Sequence, residues 1–297
     1  MPFAYKRATI SGNVAGTEGT SKLIQEIKDV AVNQMGWTLY DDRTDQRSTN
    51  HKLVLSSNGE DGTYPTFYMV ITSGNTTGTA AQNTVLFQVA TAWDTTIHRV
   101  PASGIVVPVA SGVQILATST NTQYTAWISG DKDAIHVITK VSTTYDSTAV
   151  GHVKPFYSPA LHPYPLFVNG DATTTTVITD AVTTRLIAGN PPRAFTTGSD
   201  AQFMGMAVFT NANQPYIAAV NPAITSIYMA MPLLVGPNTV AEGKDFLGIA
   251  PGIWQGAGSN AGMLNEAILT MSGTDGVVQQ YIAFLISTTA SLIVRRS

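Results

Sequence analysis

Cysteine is absent from the 297 residues. That excludes a disulfide framework, an iron–sulfur cluster, a thiolate zinc site and a cysteine nucleophile. Charge is scarce too: Lys, Arg, Asp and Glu make up 12% of the chain, about half of the roughly 25% usual in soluble proteins. With a formal net charge of −3, no long-range positive field gathers nucleic acid or an anionic membrane. No apolar run approaches the roughly 20 residues that span a bilayer. The opening Met-Pro-Phe-Ala-Tyr-Lys-Arg lacks the charged-then-apolar order of a secretory signal. The expectation is a soluble chain made in the cytoplasm, with neither nucleic acid nor membrane as partner. Catalytic fingerprints are missing as well: there is no Gly-x-Ser-x-Gly elbow, no Walker A loop and no dinucleotide-binding glycine pattern.

What is present is an ordinary apolar fraction, 44%, so much of the surface must be Thr, Ser, Asn, Gln and Gly. Such surfaces repel neighbouring copies weakly and suit close oligomeric packing. Length predicts two units. Residues 1–179 form a helix plus a β domain ending in a proline-rich crossing segment, and residues 180–297 form a second β-rich domain.

Helical spacing stands out over residues 20–35, where Leu23, Ile27, Val30, Ala31 and Gln34 share one face. Thr20 or Ser21 can cap its start and Gly36 can end it. Beyond Trp37 the pattern becomes short runs of period two, rich in Thr, Val, Ile and Tyr and punctuated by Gly, Asn, Asp and Pro. Predicted strands cover 52–56, 66–72, 85–90, 105–109, 113–119, 124–129 and 134–142, then 204–210, 224–229, 266–271 and 277–286. Two polar turns join hairpins, 57–62 and Gly130-Asp131-Lys132-Asp133. The proline-rich stretch 145–169 reads as a rigid, irregular crossing. Thr173 to Ile178 reads as an exposed edge strand, and 248–262, rich in glycine, as loop. Residues 291–296 read as a last strand or an arm. The fold class is mainly β, a β-sandwich or barrel-like domain or domains with one short N-terminal amphipathic helix.

The five histidines, His51, His98, His136, His152 and His162, show no metal-ligand spacing. His152 and His162 share the proline-rich stretch, where packing against Tyr157 and Tyr164 outweighs a joint metal site. Asp41, Asp42 and Asp45 form the densest acidic cluster, but the segment lacks the central Gly and terminal Glu of a calcium loop. Interleaved Arg43 and Arg47 make it a solvated loop of surface ion pairs, each worth about 0–1 kcal/mol. The glycines of 256–262 have the wrong spacing for a phosphate cradle. Trp37, Trp93, Trp127 and Trp254 fit core or interface anchors better than a sugar platform. No catalytic, cofactor-binding or metal residue is expected; the interface candidates are Trp37, Trp127, Tyr145, Tyr157, Tyr164 and Trp254.

Three segments carry a resemblance. The helix ending in Met-Gly-Trp-Thr-Leu-Tyr-Asp-Asp leads to strand 52–56, the Gly59 to Gly62 turn and 68–71. A hairpin beginning at Trp127 leads to Tyr145, Gly151, Pro155 and His-Pro-Tyr-Pro-Leu. Residues 246–254 and 275–286 add a looser likeness. Together they resemble a family of phage virion structural proteins associated with tail, baseplate or neck. The resemblance implies a non-catalytic virion subunit, no cofactor, and partners that are its own copies and other virion proteins. The alternative is a receptor-binding adhesin module whose partner is a host glycan. An enzyme would need Asp41 or Asp42 paired in space with Glu242 or Asp245.

Overall fold

The computed structural model describes residues 3–11, 17–43, 52–62, 64–74, 82–102, 111–116, 123–155, 166–170, 185–188, 193–194, 202–204, 217–221, 226–236, 248–257, 265–272, 276–285 and 291–297. They form three antiparallel sheets and one helix near the N-terminus, the mainly β class predicted from period-two patterning.

The chain opens with β1 (Ala4–Ser11) and α1 (Thr17–Asn33). It then runs through a meander of β2 (Thr38–Asp42), β3 (Lys52–Ser57), β4 (Phe67–Gly74), β5 (Gln82–Ala90) and β6 (Ser111–Leu116). The chain returns to β1 with β7 (Gln123–Gly130), in register from Ala4 opposite Gly130 to Ser11 opposite Gln123. Next come β8 (Ala134–Val141), β9 (Thr144–His152) and the short β10 (Lys154–Pro155). β11 (Leu166–Gly170), β12 (Arg185–Ala188) and β13 (Arg193–Ala194) complete a seven-stranded sheet, β1-β7-β8-β9-β11-β12-β13. The third sheet joins β10 to β14 (Gln202–Met204), β15 (Ile217–Asn221), β16 (Ser226–Gly236), β17 (Gly248–Ala257), β18 (Ala267–Ser272), β19 (Val278–Leu285) and β20 (Ser291–Arg295). This sheet curls until β16 also pairs β17. β15 meets β18 through one register pair, Val220 opposite Thr270, so it stops short of a continuously laddered barrel.

The seven-stranded sheet is the middle layer. One face, with Tyr124, Ala126, Ile128, Ile135, Val137 and Val150, packs on α1 and the meander. The other, with Trp127, Ala134, Ile138, Tyr145 and Phe167, packs on Ile253, Ile282, Phe284, Leu292 and Val294 of the curled sheet. A sheet covered on both sides needs apolar residues at successive positions rather than alternate ones, which explains the near-continuous burial of β8.

α1 buries Leu23, Ile27, Val30 and Ala31 of the predicted stripe completely, and Ile24 with them, whereas Gln34, also placed on that face, lies past the end of the helix and is exposed. The helix begins a turn earlier than predicted, with Thr20 buried inside it instead of capping it. Gly36 ends it at φ 80°, and the Trp37 N–H closes onto the Ala31 carbonyl at 3.0 Å, a left-handed helix stop.

Three sequence expectations are corrected. Residues 144–152 form β9, a regular strand in the middle of the first sheet, so the irregular stretch does not begin at Tyr145. Gly248–Ala257 is a strand rather than a loop. Its glycines serve close approach: a Cβ on Gly248 would collide with the Lys154 carbonyl, and Gly252 lies at φ 70° beneath the His136 ring. Pro251 falls in the interval of β17 that has no register partner on β16, where a missing N–H is tolerated. Asp41 and Asp42 lie on β2, not in a solvated loop. Residues 291–295 are a strand between β17 and β19. The predicted strand at 105–109 and the edge strand at Thr173 to Ile178 lie outside the described residues.

Candidate functional site

The densest polar chemistry lies where the three sheets meet. The β7–β8 turn begins at Gly130, whose added Cβ would collide with the Ala134 carbonyl, so glycine is required for so tight a reversal. The turn is held from within: Asp131 Oδ1 accepts the Asp133 and Ala134 amides at 2.8 and 3.2 Å. It is also held from the meander. Ser57 Oγ donates to the Lys132 carbonyl at 2.6 Å, and the Glu60 amide donates to Asp133 Oδ1 at 2.7 Å. On the remaining sides, the Trp37 indole N–H donates to the Asp131 carbonyl at 2.8 Å and the His152 amide to the Asp133 carbonyl at 2.8 Å.

Carboxylate oxygens of Glu60, Asp131 and Asp133 converge within 4.8 Å of one another, and Asp131 and Asp133 are buried. Burial raises the Asp131 carboxyl above its ordinary range. Burial also raises Asp133, and the adjacent Asp131 charge adds to that rise. Lys154 Nζ stands 3.9 Å from Asp133 Oδ2. Beside the carboxylates, the His152 ring packs against Tyr64 and Phe67 at 4.9 and 4.4 Å between centroids. Burial lowers its pKa to about 3. A cavity of about 50 Å³ between the middle and curled sheets is lined in part by Asp131, Lys154 and Arg295. Converging oxygens held by amide donors are what cation binding requires.

Two smaller clusters lie elsewhere. Asp41 Oδ2 receives the Trp93 indole N–H at 2.9 Å and lies 2.7 Å from His98 Nδ1. Burial works against ionisation there, but those two hydrogen bonds outweigh it and hold the Asp41 carboxyl below its ordinary range. Asp42 pairs with Lys28 at 2.8 Å. Glu266 Oε1 accepts from Lys140 Nζ and the Tyr145 hydroxyl at 2.7 and 2.8 Å, tying the middle sheet to the start of β18.

Of the residues predicted as interface anchors, Trp37, Trp127, Tyr145 and Trp254 are buried within the chain. Trp37 meets Phe67 edge-on at 5.3 Å, Trp127 forms a three-ring cluster with Tyr145 and Phe284, and Trp254 meets Tyr281 edge-on inside the curled sheet. Tyr157 and Tyr164 lie outside the described residues, as do His51, His162, Asp45, Arg47, Glu242 and Asp245. Trp93 is buried too, so none of the four tryptophans stands on the chain's surface.

Sequence reading missed the convergence of Glu60, Asp131, Asp133 and His152. Both turns are legible as polar hairpin turns, but Glu60 and Asp133 are separated by 73 positions, and only strand register brings them together. Trp37→Phe keeps the ring and removes the donor to the buried Asp131 carbonyl. Urea denaturation is expected to give a loss of about 1–2 kcal/mol; an unchanged midpoint would mean that the bond contributes nothing.

Compared with known proteins, the chain matches no protein-family model and no curated protein.

Proposed function

We propose that this chain is a non-catalytic structural subunit of a phage-like virion, of the tail, baseplate or neck, that works by assembling with its own copies and with other virion proteins. The observation that carries this reading is where the apolar surface lies on an otherwise interlocked body. Leu39 and Tyr40 are 43% and 41% exposed on β2, an edge strand of the meander, and Val277 and Val278 are 56% and 65% exposed where the chain enters β19. Exposed apolar side chains at a strand edge are what strand addition and subunit packing use. The register of β2 shifts between Leu39 and Asp41, and a bulge there blunts indiscriminate edge pairing. The 12% charge content supports the reading, because copies of a weakly charged surface repel little.

Cross-linking and imaging of intact particles test it, together with sedimentation of the purified chain. The expected result is a defined ring or a particle-bound assembly. Leu39→Glu with Val278→Glu should weaken assembly on the order of tenfold or more, about 1.4 kcal/mol, at unchanged melting temperature. A stable monomer with no affinity for virion partners overturns the reading.

A further inference from the structure

We propose that the junction of the three sheets is a divalent-cation site in which Asp131, Asp133 and Glu60 supply carboxylate oxygens and His152 supplies an imidazole nitrogen. The carboxylates are the only group of three or more such side chains among the described residues whose ligand atoms converge, all within 4.8 Å. Acidic convergence alone is common on protein surfaces, but here a second and independent feature points to a ligand. His152 is 1% exposed, and neither ring nitrogen has a hydrogen-bond partner among the described residues. A buried imidazole without a partner is unfavourable unless something binds it. Its Nδ1 borders the same small space as Asp133: the position a Cβ on Gly59 would take is 3.0 Å from Asp133 Oδ1 and 3.3 Å from His152 Nδ1. Glycine at 59, held at φ 78°, keeps that space open between them.

The carboxylates are also pre-positioned. Asp131 Oδ1 and Asp133 Oδ1 are fixed by backbone amides, the outer-shell support that orients metal ligands. Lys154 Nζ stands 3.9 Å from Asp133 Oδ2, beyond hydrogen-bonding distance, with the lysine side chain half exposed. Three carboxylates against one ammonium leave an excess of negative charge that a doubly charged ion offsets. Oxygen ligands suit Ca²⁺, Mg²⁺ and Mn²⁺, and an added imidazole favours Mn²⁺ or Zn²⁺ over Ca²⁺. An ion here would fasten the β3–β4 loop, the β7–β8 turn and the end of β9 together. The proposal is independent of the virion reading.

The test uses the full chain stripped with chelator and titrated with MnCl₂, with ZnCl₂ and CaCl₂ in parallel, by calorimetry and thermal melting. Expected are saturable one-to-one Mn²⁺ binding, a higher melting temperature, and nitrogen hyperfine coupling from an imidazole in the electron spin-echo spectrum. Glu60 is exposed and is the third negative charge of the cluster, so Glu60→Gln should not lower the metal-free melting temperature while weakening Mn²⁺ tenfold or more. No saturable binding of any of the three ions, binding indifferent to Glu60→Gln, or a bound Mn²⁺ without nitrogen coupling overturns the proposal.

Discussion

Replacing Trp127 with alanine is expected to destabilise the protein by about 3–5 kcal/mol, the range for removing a large buried aromatic. Trp127 lies on the face of β7 that meets the curled sheet and is 1% exposed. Its ring meets Phe284 edge-on at 5.1 Å, stacks with Tyr145 at 6.0 Å, and carries the Arg7 guanidinium 5.6 Å from its centre. Alanine forfeits all three contacts and leaves a cavity between two sheets, neither of which can close onto it without breaking ladder hydrogen bonds. Total stabilities run at about 5–15 kcal/mol, so the variant would stand close to unfolding at ambient temperature. Trp127→Phe, which keeps a ring against Phe284, is expected to recover more than half of the loss. Equal urea midpoints for Trp127→Ala and the parent would mean that the two sheets do not depend on this contact.

The same residue marks how far the sequence could be read. The hairpin that carries Trp127 is legible because two apolar runs flank Gly-Asp-Lys-Asp, and β7 and β8 pair as that spacing requires. Its role is not legible. An aromatic that anchors a second sheet of its own chain and one that anchors a neighbouring subunit have the same local sequence, and the deciding partner, Phe284, is distant in the chain. β1 escaped notice because Lys6 and Arg7 interrupt its apolar pattern, although Ala4, Ala8 and Ile10 face the core. β17 escaped because glycine and proline signal loops, whereas here Gly248 admits the β10 backbone and Gly252 makes room for His136. The cation ligands escaped for a related reason. The carboxylates sit in turns whose polarity is explained locally and His152 ends a strand, and their meeting depends on the pairing of strands far apart in the chain.

His136 is the source of the second large expected effect, which is loss of stability in acid. It lies on β8, is 2% exposed, and its pKa is lowered to about 3 by burial, with a small opposing contribution from the Pro251 backbone. Neither ring nitrogen makes a hydrogen bond of regular geometry among the described residues, and the ring packs over Gly252, near Phe3 and Arg295. In the unfolded chain the same imidazole titrates near its ordinary value of about 6.5. Above that pH both states carry it neutral and its contribution to stability is fully present. Between about 6.5 and 3 the unfolded chain binds a proton that the folded chain refuses, so stability falls as pH falls, by about 1.4 kcal/mol per pH unit. Across the whole window this amounts to roughly 5 kcal/mol, comparable with the total stability of a small domain. Asp131 and Asp133 act in the opposite direction. Their raised carboxyls take up protons in the folded state before the unfolded one, which supports the fold as pH drops through their folded pKa values. His152, whose pKa burial also lowers to about 3, steepens the acid limb alongside His136, and the two carboxyls offset part of the combined slope. His136→Leu removes the titrating group without adding a polar one, and urea midpoints from pH 7 to pH 4 should fall less steeply than in the parent. Parallel curves for the two proteins would refute His136 as the cause.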